Sequence, residues 1–486
     1  MICYHIVIEF ASKYFKRGYK ALKKILITMI LAGFVLTDVS PAVCMAKTVK
    51  TSEPQKVSVS KTQKMRKKSD QYKYDYINYE WWSNFNDDIL KGYIEQAIKN
   101  NYKLKIATIA VDEYYQIIKI QMGNELPMAG VGFSPAYVKP SGLTDANWTF
   151  ALPGIVNYEA DIFLKNHDKT KMAKKDYEKA LQDERTAYIT IASAVGSTYL
   201  NIVKLDKMIE LQEQIVEDRK VIYDLFLLRN REGLTSTSDT VKANKSYIAG
   251  QSALTEYKKQ RNILLNQLCV LLGISPEKAN TLQRISYDNL NFVGVIPTEV
   301  SSEIIAQRPD YISAEKMIEK AGIDVRVAKK EFLPTINLTG VALFMNPEFG
   351  SLLNTKSALT ALAGAVNLPL FTGGKRVANL KLKKASYQRI LNNYYQTNLT
   401  AIQEVNDALT TITHDNKKYE DTKRQSELER KDYGYNTAKY EQGVISKLDL
   451  TQLRENVYST DKLVADQKIN CLVDYITLYK AVGSQL

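Results

Sequence analysis

Proline is unevenly spread along this chain of 486 residues. All twelve prolines fall outside residues 154–275 and 370–486. Proline removes a helical hydrogen bond and clashes with the preceding turn, so two such long proline-free stretches point to long helices. A second regularity joins them. Shifting the chain against itself by 210 positions brings Ala151–Asn157 onto Ala361–Asn367, Lys165 onto Lys375, Tyr177 onto Tyr387, Gly233 onto Gly443, Ser236 onto Ser446 and Asp239 onto Asp449. One register held over nearly 90 residues marks an internal duplication. Upstream the shift is 207, where Leu126-Pro127 meets Leu333-Pro334, so the halves differ in length within a loop.

Each half has the same order of parts. A helix over about 87–121, and over 299–331 in the second half, runs into the Leu-Pro pair. There the apolar period drops to two. Ala129, Val131, Phe133 and Tyr137 alternate with small residues, as do Trp148, Phe150, Leu152, Val156 and Tyr158. These are strands with one apolar face. Ile336, Leu338, Ala342 and Phe344 repeat the pattern, while 357–368 alternates more weakly. The longest helices follow, over about 165–231 and 375–441. Tyr188, Ile191, Val195, Tyr199, Ile202, Leu205 and Ile209 step by three and four along the first of them, a seam for another helix. Gly233 and Gly443 suit left-handed C-terminal caps, and Ser236 and Ser446 with Asp239 and Asp449 suit the start of a returning helix. Each half is thus a helix, a β-hairpin and a long helical hairpin.

Charge narrows the function. The formal net charge is +13, but residues 1–70 carry 14 Lys/Arg and four Asp/Glu, so ten of those charges lie in a leader and tail. The body is nearly neutral and lacks the electrostatic footprint of a nucleic-acid binder. Basic residues Lys13 to Lys24, the apolar run Ile25–Leu36 and small residues near Ala42 form an export signal over 1–46. Cys44 either follows a lipoprotein signal of residues 1–43 and carries lipid, or is discarded by cleavage after Ala46. Residues 47–78 read as a flexible basic tail, 79–296 as the first repeat and 297–486 as the second. Four cysteines and three histidines show no ligand spacing, so neither metal nor cofactor is expected, and no catalytic constellation is visible. Gly373-Gly374-Lys375-Arg376 lacks the spacing of a nucleotide-binding loop.

Four strands with one apolar face have open edges, which a bilayer forbids, so copies of the chain must close them. Three copies give twelve strands, an even number suited to an outer-membrane barrel. Passage, not chemistry, is the expected function.

Trp81-Trp82, Phe85 and Asp87, Asn101 with Leu104, Leu272-Gly273 with Pro276, Pro297, Arg308-Pro309-Asp310, Ala314-Glu315, Phe332-Leu333-Pro334 and Pro369–Gly374 occur in that order on the duplicated frame. In these marks the chain resembles the TolC-like outer-membrane efflux channels, in particular their NodT-type lipoprotein branch. The resemblance spans about 79–486. It implies a mainly α homotrimer, with a twelve-strand β-barrel among outer-membrane lipid and an α-helical tunnel across the periplasm. A periplasmic membrane-fusion adaptor and an inner-membrane pump, RND-type by the resemblance, would be its partners. It also implies that Gly233, Ser236, Asp239, Gly443, Ser446 and Asp449 mark the tips, which close the periplasmic end and dock the adaptor. Helix capping alone explains both aspartates equally well. Gln452 and Ile445 depart from members with a second acidic ring and a basic lock. Two other readings remain: a protein-secretion channel of the same fold, and a periplasmic coiled-coil scaffold. The scaffold leaves the two β-hairpins unexplained.

Overall fold

The computed structural model describes residues 81–138, 147–294, 305–354 and 358–483. Contacts separate residues 1–65 from 66–486, and every described residue lies in the second unit. The export signal, Cys44 and the whole of the basic tail therefore lie outside the described residues.

After a short turn, Trp81–Phe85, come α1 (Asp88–Asn100) and α2 (Tyr102–Gly123), then β1 (Met128–Val131), β2 (Ser134–Val138) and β3 (Asn147–Ala160). Helices α3 (Lys165–Arg231) and α4 (Thr237–Leu272) complete the first half. The second half has α5 (Pro309–Lys330), β4 (Thr335–Asn346), β5 (Ala358–Asn367), α6 (Lys375–Glu441) and α7 (Lys447–Val482). The expected long helices are present, each of 67 residues, or roughly 100 Å at 1.5 Å per residue. Glycine does not break α3 at Gly196. It admits a neighbour, since a Cβ there would lie 2.6 Å from Trp81 Cη2.

Two expected helices differ in the structure. The helix over 87–121 is split at Asn101, whose backbone turns extended (φ −60°, ψ 125°). Its Oδ1 accepts from the amides of Lys103 at 2.9 Å and Leu104 at 3.2 Å, and its Nδ2 donates to the Leu271 carbonyl at 2.8 Å. One side chain thus starts α2 and fastens it to the end of α4. In the second half, the helix expected over 299–331 is interrupted at 306–308, after helical Ile305, and runs on from Pro309; residues 295–304 lie outside the described set. Proline suits the first helical position, where no amide bond is lost. Arg308 just before it donates to Asp310 Oδ1 at 3.0 Å, to Glu404 Oε2 at 2.7 Å and to the Ala481 carbonyl, tying α5 to α6 and the end of α7.

The antiparallel sheet runs β1–β3–β4–β5, with β2 also paired to β3. Met128↔Asn157 and Ser134↔Ala151 belong to one continuous register, so β1 and β2 are a single expected strand interrupted at 132–133. Pro153, opposite Gly132, has no amide to donate, and only Gly132 N to Pro153 O, 2.8 Å, survives there. The pairings Leu152↔Phe344, Val156↔Gly340, Phe344↔Ala358 and Ile336↔Val366 keep even-numbered residues of β3, β4 and β5 on one face. Val131, Phe133 and Tyr137 share it. That face is apolar across every strand. Aromatic rings gather at its end far from the helices, with Tyr137 and Trp148 5.4 Å apart and Phe150 and Phe349 5.4 Å apart.

The main core lies midway along the helices. Trp81, Phe85, Ile94, Val195, Tyr199, Leu268 and Ile476 are fully buried there. At about 1.5–3 kcal/mol per large apolar side chain, this cluster anchors α3, α4 and α7 together. The Nε1 groups of Trp81 and Trp82 are buried there without a hydrogen-bond partner among the described residues, whereas Tyr199 and Asp87 pair with each other. Tyr199 donates to Asp87 Oδ2 at 2.6 Å and accepts from Ile285 N at 3.0 Å, while Asp87 Oδ1 caps α1. Cys269 and Cys471 are free thiols.

Candidate functional site

The chain reverses at two helical tips, and both are built in the same way. Gly233 (φ +69°) ends α3, with Leu234 N bonded to Arg229 O at 2.8 Å and Gly233 N to Asn230 O at 3.0 Å. Gly443 (φ +72°) ends α6 likewise, through Val444 N to Lys439 O and Gly443 N to Tyr440 O, both 2.9 Å. This double closure requires a left-handed residue that glycine adopts without strain. It satisfies carbonyls the helix end would otherwise leave open.

Three residues after each glycine, serine starts the returning helix. Ser236 Oγ accepts from Asp239 N at 3.1 Å, and Ser446 Oγ from Asp449 N at 3.2 Å. Asp449 returns the bond, accepting from Ser446 N at 3.1 Å, which completes a capping box. The hydroxyl of each serine also meets its aspartate at 2.7 Å. These bonds hold both carboxyls below the usual carboxylate range, the serine being the first cause at each and Lys242 adding to it at Asp239. All six tip residues singled out in the sequence are thus brought into two equivalent turns, and capping accounts for the local geometry.

The tips differ in charge. Lys242 Nζ lies 3.2 Å from Asp239 Oδ1, whereas position 452, its equivalent beside Asp449, is glutamine. Asp449 has no salt bridge among the described residues. The second tip therefore presents an uncompensated anion, and the first a neutralised one. Leu234 and Val444 stand 76% and 67% exposed beside them, an apolar spot at each tip.

Above the tips, α3 and α7 are joined by ion pairs that the sequence reading did not single out. Asp218 receives Arg454, Arg219 reaches Glu455, and Lys204 Nζ lies 3.0 Å from Asp466 Oδ1. A signal was present. Gln212 and Asp218 continue, in steps of three, the apolar seam through Ile209 and Ile215, and a polar residue on a seam needs a partner across it. Gln212 Oε1 accepts from Lys462 at 2.8 Å.

Among the described residues no group of three or more His, Cys, Asp or Glu could hold a metal ion, and no helix is long and apolar enough to cross a membrane.

The family model described as outer membrane efflux protein matches residues 93–274 and 300–484. The toluene efflux pump outer membrane protein TtgC of Pseudomonas putida is 25% identical over 412 residues, covering 83% of this chain and 84% of its own. The cation efflux system protein CusC of Escherichia coli is 25% identical over 420 residues, covering 84% and 89%. Among solved structures, the CmeC outer membrane channel of Campylobacter jejuni aligns with a TM-score of 0.76 at 22% identity, over 92% of this chain and 94% of that one. The open state of the MtrE outer membrane channel of Neisseria gonorrhoeae aligns at 0.72 and 23% identity, over 81% and 89%. The likeness to these structures supports the duplicated fold.

Proposed function

The chain belongs to the outer membrane efflux protein family, and from that premise we propose that it is the outer-membrane channel of a tripartite efflux system. Three copies close a twelve-strand barrel and a helical tunnel. Small molecules pass through it from an inner-membrane pump, RND-type by family resemblance, and a periplasmic adaptor to the exterior.

The observation that carries this reading is that the sheet and the helical layer are open on the same two sides. The sheet runs from β1/β2 through β3 and β4 to β5, and the helices pack in the order α2, α3, α5, α6. In both layers one outer member comes from the first half and the other from the second. An interface of unlike faces that closes on itself is a ring. Helix α6 supports the same closure. Only Ala401, Val405, Ala408, Ile412 and Ser426 of its 67 residues are buried, while Leu382, Tyr395, Leu399 and Tyr435 are exposed. On the opposite side α2 exposes Tyr102, Ile106, Ile109 and Ile120 at helical spacing. In this reading the even-numbered face of β3–β5 meets lipid, and the small and polar face lines the lumen.

The tips then form the periplasmic end. Three copies of Asp449, unneutralised, converge on an aperture that attracts cations, and Leu234 and Val444 offer apolar contacts to the adaptor. Cargo is not written in the channel: a toluene efflux and a cation efflux relative are equally similar to this chain. Lipid on Cys44 belongs to the same proposal. The test is conductance of the detergent-extracted protein in planar bilayers. Discrete channels with cation preference support the reading, and a protein that extracts without detergent and conducts nothing favours the periplasmic scaffold.

A further inference from the structure

A strongly basic, partly apolar collar lies where the strands hand over to the long helices. After Glu348 the chain carries no acidic residue until Glu404, yet residues 375–389 contain six Lys/Arg. Lys375, Lys381 and Lys384 are exposed and none forms a salt bridge. The first half repeats the feature more weakly. Lys169, Lys171 and Lys174 are exposed and unpaired at the start of α3. The one carboxylate among them, Asp168, is already held by Arg326 at 2.7 Å and Lys330 at 2.6 Å.

Exposed apolar groups precede both basic turns. Leu370 and Phe371 are each 89% exposed, and Ile162 and Leu164 are 63% and 53% exposed. Leu368 and Leu370 follow directly on β5, and Ile162 on β3. In the channel reading the collar therefore sits at the helical end of the sheet, at the level where hydrocarbon ends and headgroups begin. Side chains on a helix lean toward its N-terminus. On α3 and α6 the lysines thus lean back toward the sheet, in the direction from which the apolar groups come. The positive ends of both helix dipoles face the same way. Apolar side chains beside uncompensated lysines are the combination that holds a protein at an anionic lipid surface.

We propose that this collar binds anionic phospholipid headgroups of the leaflet at the helical side of the barrel, anchoring the channel at a fixed depth. The inference rests on the outer-membrane channel reading. The other occupant these charges could serve is the neighbouring copy, and the experiment separates the two.

The full-length channel would be released from detergent micelles supplied with equal phosphatidylglycerol and phosphatidylethanolamine and weighed by native mass spectrometry, beside a Lys375→Gln/Lys381→Gln/Lys384→Gln variant. The wild type should carry phosphatidylglycerol adducts in several-fold preference, falling as salt is raised, and the variant should lose that preference while remaining a trimer. Substituting the same three lysines by arginine should keep it. Equal adducts of both lipids on the wild type, or a Gln variant that keeps its preference but loses trimers, would overturn the collar and leave the channel reading standing. A wild type that is not trimeric would overturn both.

Discussion

Arg454 on α7 donates Nε to Oδ2 of buried Asp218 on α3 at 2.9 Å, and the next residue of each helix repeats the bond with the charges exchanged, Arg219 Nε to Glu455 Oε1 at 2.9 Å. The two pairs lock the register of the second hairpin on the first, about 12 Å from the second tip and about 22 Å from the first at 1.5 Å per residue. Removing one partner leaves the other charge buried, at a cost of about 3 kcal/mol. Arg454→Gln should therefore loosen the second tip, and each 1.4 kcal/mol spent on the closed state moves its equilibrium about tenfold. Single-channel recordings should show more frequent and larger openings. Recordings like those of the wild type would mean that these pairs do not hold the tip.

Asp449→Asn separates charge from capping. It removes the uncompensated anion, so cation preference in a salt gradient should fall. Ser446→Ala disrupts the capping box yet keeps the charge, so it should speed amide exchange in the first turn of α7 and leave selectivity in place. Equal selectivity in all three proteins would reduce Asp449 to a cap. Because its carboxyl is held below the usual range, the capping contribution is present above the ordinary carboxylate pKa and is lost only as pH falls through the lower folded value.

Asp474 on α7 behaves in the opposite sense. Burial first, and then the charge of Asp415 on α6, push its carboxyl up to about 6, and its Oδ2 is buried without a hydrogen-bond partner. A raised carboxyl weakens the fold when ionised. Its penalty is absent below the ordinary carboxylate value and complete once pH has risen through about 6. The apparent melting temperature should rise by about 1–2 °C between pH 7 and 5 from this group, and Asp474→Asn should flatten that part of the profile. A variant with an unchanged profile would assign the dependence elsewhere.

The first residue of the mature chain can be weighed directly. Diacylglycerol on Cys44 is the expected result, and an unmodified start beyond residue 44 would remove the lipid anchor from the account.

Much of the fold was legible because duplication prints each element twice. The ends of α3 and α6 could be placed from Gly233 and Gly443, since few other residues adopt that backbone, and the apolar face of the sheet from strict alternation. The break at Asn101 was not legible as a break. The apolar period runs across it, and what ends α1 is a bond to Leu271, 170 residues away. The interruption opposite Pro153 was hidden for a related reason: proline spoils its partner's ladder, so the cause lies on a different strand. At the tips the aspartates were visible, but the neutralisation of Asp239 by Lys242 and not of Asp449 needed the side chains in place. The pairs of Asp218 and Arg219 join helices 236 residues apart, and local periodicity carries no information on which charge meets which.

The central claim is that both layers close only through other copies of the chain. Native mass spectrometry of the membrane-extracted protein in detergent counts those copies. Three per particle is the predicted result; a monomer or dimer stable without detergent would contradict the shared barrel and the tunnel with it.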